Sequence, residues 1–383
     1  MDLLGMTIAI VALVGWLGLT FLRGWFWRPV VDSPLPDLMR WPSVLIVVPA
    51  RNEAEMLPRC LDSLLAQNYP GEWHIALVDD HSTDRTAEIA RERALVKGLS
   101  TRLTVVAAPD LEQGWLGKVA AMQAGLTQRD SDYILFTDAD IEHPKHSLRQ
   151  LMARSVTERL DLNSLMVRLN CDSFAEQLLI PAFSFFFAML YPFRKANEPA
   201  SAVVAAAGGV MLVKRQALAN AGGLATIKDA LIDDCALACA IKDHGGDYSA
   251  GGRLRLALSE DVVSLRPYPM IADVKAMVAR TAFTQLRHSN LLLAATVAGM
   301  AMLFLAPPLL LIVGSDRAAA VALATWLLMT IIYMPMVRFY RLSFVWAFTL
   351  PVAAVIYLAA TLESARQYRQ GLGGQWKGRT QAS

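Results

Sequence analysis

Four stretches of this chain carry no charge at all: Leu3–Leu22, Leu291–Val313, Ala318–Val337 and Phe344–Leu362. Each is 19 to 23 residues long, close to the ~20 residues an apolar helix needs to cross a bilayer. Setting these 82 residues aside leaves 301 to hold all 70 charges, about 23%, the charge density of an ordinary soluble enzyme. The 383 residues therefore describe a globular body joined to membrane spans, and a plain cytoplasmic protein is excluded.

Other classes fall away on composition. Net charge is only +2 and no basic run interleaved with aromatics occurs, so nucleic acid is not an expected partner. The four cysteines, Cys60, Cys171, Cys235 and Cys239, form no C-x-x-C pair and no regular framework. They read as small thiols in a reducing compartment.

The first span has Asp2 where a cleavable signal would carry basic residues, and no A-x-A-like site follows it. Arg23 and Arg28 come next, interleaved with Trp25 and Trp27, which reads as an aromatic belt beside a positive cytoplasmic flank. Residues 1–28 are thus expected to anchor the chain, with everything after Arg23 in the cytoplasm, where nucleotide-activated substrates are found.

From Pro42 to about Pro269, short apolar runs alternate with helical stretches. Val44–Val48, His74–Val78, Leu103–Val106 and Tyr133–Thr137 read as buried parallel strands, with helices over Ala54–Ala66, Asp84–Ala94 and Lys118–Gln128. This alternation predicts βαβ units in a doubly wound α/β sheet, whose ligands bind beyond the carboxyl ends of the strands. Three of those ends carry polar clusters: Pro49-Ala50-Arg51-Asn52-Glu53, Asp79-Asp80-His81-Ser82-Thr83-Asp84 and Asp138-Ala139-Asp140. Like charges gathered at one crevice repel unless something positive lies between them.

Asp138 and Asp140, one residue apart at a strand end, can both reach a hard cation such as Mg²⁺, which takes one or two carboxylates plus substrate phosphates. Aspartates at strand-to-helix junctions are also common helix caps. Asp79 and Asp80 divide similarly between a capped turn and a carboxylate set against a nucleotide's base or ribose. No G-x-G-x-x-G follows the first strand, which disfavours an NAD or FAD enzyme. Gly114-Trp115-Leu116-Gly117-Lys118 offers a turn, a helix N-terminus and a cation, a set that suits a diphosphate. His143 and His146 follow the acidic pair, but Pro144 between them points to a helix start rather than to ligation.

The ordered set V-P-A-R-N-E, V-D-D-x-S-x-D, G-x-x-G-K and T-D-A-D resembles the family 2 glycosyltransferases. The resemblance implies a GT-A fold over residues 41–269 and inverting transfer from a nucleotide-diphosphate sugar, usually a UDP-sugar, with Mg²⁺ or Mn²⁺ on the diphosphate. It further implies that Pro49, Arg51 and Glu53 flank the nucleotide, with Asp79 and Asp80 at the base or ribose. Lys118 would meet phosphate, Asp138 the ribose–metal region and Asp140 the metal directly. Gly208-Gly209 through Arg215 resembles the acceptor-side strand and helix, and in Ile232-Asp233-Asp234-Cys235 the second carboxylate, Asp234, takes the place of the general base, worth ~10²–10⁴-fold. Asp233 departs from the family's usual Glu. Both aspartates would also favour a helix dipole.

Tyr191-Pro192-Phe193, Ala230 to Ala238 and Arg280 to Arg287 are similar to the hopene-associated subgroup of that family, which implies a hopanoid-pathway setting and a lipid acceptor. Gln285-Leu286-Arg287-His288 lacks the tryptophan and spacing of the family's Q/R-x-x-R-W motif. The implied location is the bacterial inner (cytoplasmic) membrane, with several passes. A nucleotidyltransferase would need a glycine-rich basic loop after the first strand, and a carrier would bury polar residues mid-membrane. Neither pattern is present.

Phe174–Leu190, 17 residues with Glu176 and Pro181, is short for a crossing and reads as an interfacial segment with an aromatic face in lipid, or as a buried core helix. Residues 270–290 are expected to be interfacial, 291–362 to form a membrane block and 363–383 a basic tail. Here the charges conflict. Three crossings after a cytoplasmic body would put the tail outside, yet Arg366, Arg369, Lys377 and Arg379 belong inside. Phe344–Leu362, the shortest run and interrupted by Pro351, is expected to form a re-entrant or kinked hairpin, which keeps body and tail on one side.

Overall fold

The computed structural model describes residues 2–246, 251–372, 375–376 and 379–380; Lys377 of the basic tail lies outside them. Eight strands form one mixed sheet: β1 (Val44–Ala50), β2 (Trp73–Asp79), β3 (Leu103–Ala107), β4 (Tyr133–Thr137), β5 (Ile141–Glu142), β6 (Leu162–Arg168), β7 (Val210–Lys214) and β8 (Leu254–Ser264). Their spatial order is β3-β2-β1-β4-β7-β6-β8-β5. The first four are mutually parallel, as their unbroken apolar runs require. Beyond them β7 runs antiparallel to both β4 and β6, so the doubly wound half grades into a mixed one.

Every residue of β1 is buried because helices cover both faces of the sheet. The helix Gly117–Leu126 lies so close that a Cβ on Gly125 would stand 2.4 Å from a Val47 methyl, hence glycine there. Pro49 is tolerated inside β1 because pairing with β4 stops at Val47↔Phe136, leaving only β2 alongside. The expected helix over Ala54–Ala66 begins later, at Leu57, since Met56 and Leu57 N–H groups first turn back onto the Glu53 carbonyl. Asp84 stays outside its helix for a different reason: its carboxylate accepts the Thr86 N–H at 3.0 Å and ends the preceding loop.

Among the described residues four helices are long and apolar enough to cross a membrane: Leu3–Leu22, Asn290–Val313, Asp316–Phe339 and Phe344–Arg369. They leave Val14, Phe21, Ile312, Ile331 and Val352 more than half exposed, a surface that water would penalise and lipid would not. The N-terminal helix and Asp316–Phe339 run parallel, with Gly5 and Ala318 at one end. At the other end Tyr340 meets Ser184 of the globular body (2.8 Å). Phe344–Arg369 does not run back the full length. The Phe348 carbonyl accepts from Trp326 Nε1 (3.3 Å), only ten residues into the 24-residue helix, and the chain then turns at Leu350-Pro351. Its far end returns to Asn290, where Arg369 bonds at 2.8 Å. Both ends of this segment therefore lie on the side of the sheet domain.

Phe174–Leu190 is largely a core helix, although Phe174 is exposed and Phe183 and Phe187 line the cleft described below. Phe185 packs edge-on against Tyr333, and Phe186 against Phe304 and Tyr357. Tyr357 also donates to the Leu179 carbonyl at 2.9 Å. Bundle and sheet domain share one apolar core through this helix.

Candidate active site

The carboxyl ends of β1 and β4 open onto a cleft of about 690 Å³ lined by Pro49, Glu53, Lys118, Asp138, Asp140, Asp233 and Asp234. Seven residues expected from sequence thus meet in one place. Arg51, Asp79 and Asp80 stand beside it instead, at the ends of β1 and β2. Arg51 Nη1 bonds the Asp80 carbonyl (2.6 Å) and pairs with its carboxylate (3.6 Å), while His81 Nδ1 approaches the other oxygen at 3.2 Å. Asp80 is accordingly 2% exposed and well satisfied. Its neighbour differs: Asp79 Oδ1 is buried with no hydrogen-bond partner, a cost that a donor from a bound ligand would remove.

Lys118, in the first turn of its helix, reaches Asp138 Oδ1 (3.1 Å) and Asp233 Oδ2 (3.3 Å). Burial opposes its charge, but Asp138, Asp233 and Asp234 outweigh it and hold the ammonium above its usual pKa. Asp233 and Asp234 open the helix Asp233–Ala240. Asp234 Oδ2 accepts the Gly208 N–H at 2.8 Å, and Oδ1 accepts its neighbour Cys235 N–H at 2.7 Å. Burial, then repulsion from Asp233, push its pKa up to about 6, against the pull of Lys118 and of those two N–H groups.

One residue of the cleft was not anticipated. Arg266, just past β8, donates from Nε to Asp140 Oδ2 (2.7 Å) and from Nη2 to both Glu53 oxygens (2.9 and 2.8 Å). Burial disfavours its charge, yet Asp140 and Glu53 together raise its pKa. The available signal was positional: a lone arginine following an apolar strand of the same sheet. Tyr268 and Arg280 also line the cleft.

His143 is buried and bonded through Nε2 to Thr137 Oγ1 (2.9 Å), and burial pushes its pKa down to about 4. It is a core histidine and not the helix-start residue expected, since the next helix opens only at Ser147. Among the described residues no three His, Cys, Asp or Glu side chains gather around one point. The donor chemistry nevertheless suits a hard cation. Glu53, Asp138, Asp140, Asp233, Asp234 and Asp273 line the cleft against only Lys118, Arg266 and Arg280. A diphosphate entering that surplus of carboxylates would be repelled unless further positive charge came with it.

A second cavity of about 1280 Å³ abuts the first, sharing Leu116, Ala230, Leu231 and Arg280. Tyr191, Gln285, Arg287 and His288 line it, and Ser364 and Tyr368 close it from the last bundle helix. Tyr191 OH donates to Gln285 Oε1 at 2.6 Å. Arg287 and His288 both have positive φ (51° and 53°), and His288 is stacked on Tyr368 at 4.0 Å. Two consecutive non-glycine residues in this region are strained, and the stack helps hold them there.

Residues 45–222 match the family described as glycosyl transferase family 2. The 4,4'-diaponeurosporenoate glycosyltransferase of Staphylococcus haemolyticus is 36% identical over 111 residues, 29% of this chain and 28% of that protein. The beta-monoglucosyldiacylglycerol synthase of Synechocystis is 32% identical over 146 residues, 37% and 29% of the two chains. The similarity thus spans under a third of each curated relative. Over nearly the whole fold, the chain is similar to the mannosyltransferase PcManGT from Pyrobaculum calidifontis, solved with GDP-Man and Mn²⁺. The TM-score is 0.59 at 21% identity, covering 94% of this chain and 99% of that one. Residues 45–222 thus resemble the glycosyl transferase family 2, and the chain has a GT-A fold.

Proposed function

We propose that this chain is a membrane-bound inverting glycosyltransferase that moves a sugar from a nucleotide-diphosphate sugar, a UDP-sugar in the first instance, to a lipid acceptor. The observation that carries this is the junction of the two cavities at Asp234-Cys235. A half-buried carboxylate there faces the acidic cleft on one side, and a second cavity closed by an apolar bundle helix begins on the other. The donor takes the cleft and the lipid headgroup takes the second cavity.

Asp234 accepts the proton of an acceptor hydroxyl as that oxygen attacks the anomeric carbon. A pKa near 6 keeps it ionised at neutral pH yet basic enough for the task. The Gly208 and Cys235 N–H groups fix the carboxylate's position. Lys118 places its charge where the departing diphosphate develops its own. Asp138 and Asp140 would hold a divalent cation, Mg²⁺ or Mn²⁺, which supplies Lewis-acid neutralisation of that diphosphate. The transition state is oxocarbenium-like, as in glycoside hydrolysis.

The runs around Tyr191 and Arg280–Arg287 support a hopanoid as acceptor. A second reading, a polyprenyl phosphate, is favoured by Arg280, Arg287 and His288 on the acceptor wall. It finds support in relatives such as the dodecaprenyl-phosphate galacturonate synthase of Rhizobium johnstonii, 30% identical over 119 residues. The proposed location is the inner membrane, with the catalytic domain cytoplasmic.

The test offers purified protein a panel of nucleotide sugars with Mg²⁺ or Mn²⁺ and with hopanoid, diacylglycerol or polyprenyl-phosphate lipid, reading release of nucleoside diphosphate. No release with any donor would defeat the reading. Transfer only to the polyprenyl phosphate would select the second acceptor, and Asp234→Asn should then cost little, since a phosphate oxygen is already ionised.

A further inference from the structure

We propose that Arg266 is a built-in counter-ion that competes with the divalent cation for Asp140, and that the donor's diphosphate draws it away, so that metal and nucleotide bind cooperatively. The inference rests on the sugar transfer proposed above and adds a residue outside every motif that pointed to it.

The geometry is specific. Glu53 and Asp140 come from different strand ends and are 8% exposed and half-buried respectively. Arg266 joins them with one hydrogen bond to Asp140 and two to Glu53. A guanidinium satisfies two carboxylates at once because its donors lie in a rigid fork. A cation bound to Asp140 must sit at roughly 2.0–2.2 Å from a carboxylate oxygen. With Arg266 on Oδ2 at 2.7 Å, two positive centres would share one carboxylate, and each weakens the other.

The surroundings say which part moves. The backbone is pinned on both sides of Arg266: Leu265 N–H bonds the Asp140 carbonyl at 2.7 Å, and Tyr268 N–H bonds Glu176 Oε1 at 2.6 Å. Glu176 is itself buried and fixed in a capping box. The loop is therefore held while the long side chain, about 30% exposed, borders the open cleft. A diphosphate in that cleft is the anion a displaced guanidinium would meet. Metal at Asp140 then frees Arg266 for the diphosphate, and the diphosphate frees Asp140 for the metal. Such coupling is reciprocal by necessity.

The experiment measures Mn²⁺ binding to the full-length protein in detergent by electron paramagnetic resonance, with and without UDP or GDP. In the wild type, nucleoside diphosphate should tighten Mn²⁺ about tenfold or more. In Arg266→Gln, Mn²⁺ alone should bind about tenfold tighter than in the wild type, while the nucleotide's affinity at saturating Mn²⁺ falls and the coupling shrinks. Arg266→Lys, which keeps the charge, should retain weak Mn²⁺ binding. A purely structural arginine would give weaker binding of both ligands on removal, and that result, or unchanged Mn²⁺ affinity, overturns the proposal. If Arg266→Gln fails to fold, absence of coupling in the wild type overturns it equally. Wild-type protein that binds Mn²⁺ but neither nucleotide would count against the transferase reading, while the effect of Arg266 on Mn²⁺ alone would still be read.

Discussion

The Gly208 N–H donates to Asp234 Oδ2 at 2.8 Å, and a Cβ on Gly208 would stand 3.3 Å from that same oxygen and 3.4 Å from Lys118 Nζ. The chain can hold the carboxylate this closely only because residue 208 has no side chain. Asp234→Asn keeps the shape and removes the basicity. It is expected to leave donor affinity nearly intact and to lower turnover by ~10² or more on a hydroxyl acceptor. Collapse of donor affinity in a titration would instead assign Asp234 to the nucleotide pocket and move the base to Asp233.

Asp234 also sets a pH dependence. As a base it must be ionised, so turnover should rise through pH about 6 and level off above it. Its effect on stability has the opposite sign. A carboxyl whose folded pKa is raised binds its proton more tightly when folded, so its contribution weakens as pH climbs from about 4 to about 6. Asp234→Asn should therefore unfold at an equal or higher temperature than the wild type at pH 8. A markedly lower melting temperature would count against a carboxylate held at a cost for chemistry.

Asp140→Ala should abolish transfer while the protein stays folded and membrane-bound, and wild-type activity should vanish with chelator and return with Mg²⁺ or Mn²⁺. Arg266 keeps its two bonds to Glu53 in this variant, so the loop should survive. Full activity in the variant, or indifference to chelator, refutes the metal role of Asp140.

We propose that Phe344–Arg369 is re-entrant, because its chain turns at Leu350-Pro351 and Arg369 returns to Asn290. Such a course would keep Arg366 and Arg369 on the side of the sheet domain and would not require three full crossings. A reporter fused after Ser383 should be active in the cytoplasm. Activity confined to the outside would show that the last segment crosses.

Much of the donor side was legible because it is local. β1, β2 and β4 each announce themselves as apolar runs that end in polar residues, and their parallel pairing brings Glu53 and Asp138 together without further information. Arg266 was not legible: it is 126 residues from Asp140, and a single arginine carries no period or spacing. Nor was the direction of β7, since a short run such as Val210–Lys214, apolar up to Val213, fits a parallel or an antiparallel neighbour equally well. Phe174–Leu190 is apolar nearly all round, and lipid and protein core ask the same of such a helix. Only its tertiary partners decide.

That helix has a consequence for how the protein can be handled. At its start Glu176 holds the Tyr268 N–H beside the cleft, and along its length it is gripped by Tyr333, Tyr340 and Tyr357 from the bundle. The floor of the cleft is thus tied through this helix to the apolar bundle. Cutting the chain before Leu291 to obtain a soluble enzyme would strip the aromatic face of Phe185 and Phe186 and loosen the strap that carries Arg266. Loss of activity in such a fragment would then report a missing wall of the cleft, not merely a missing membrane.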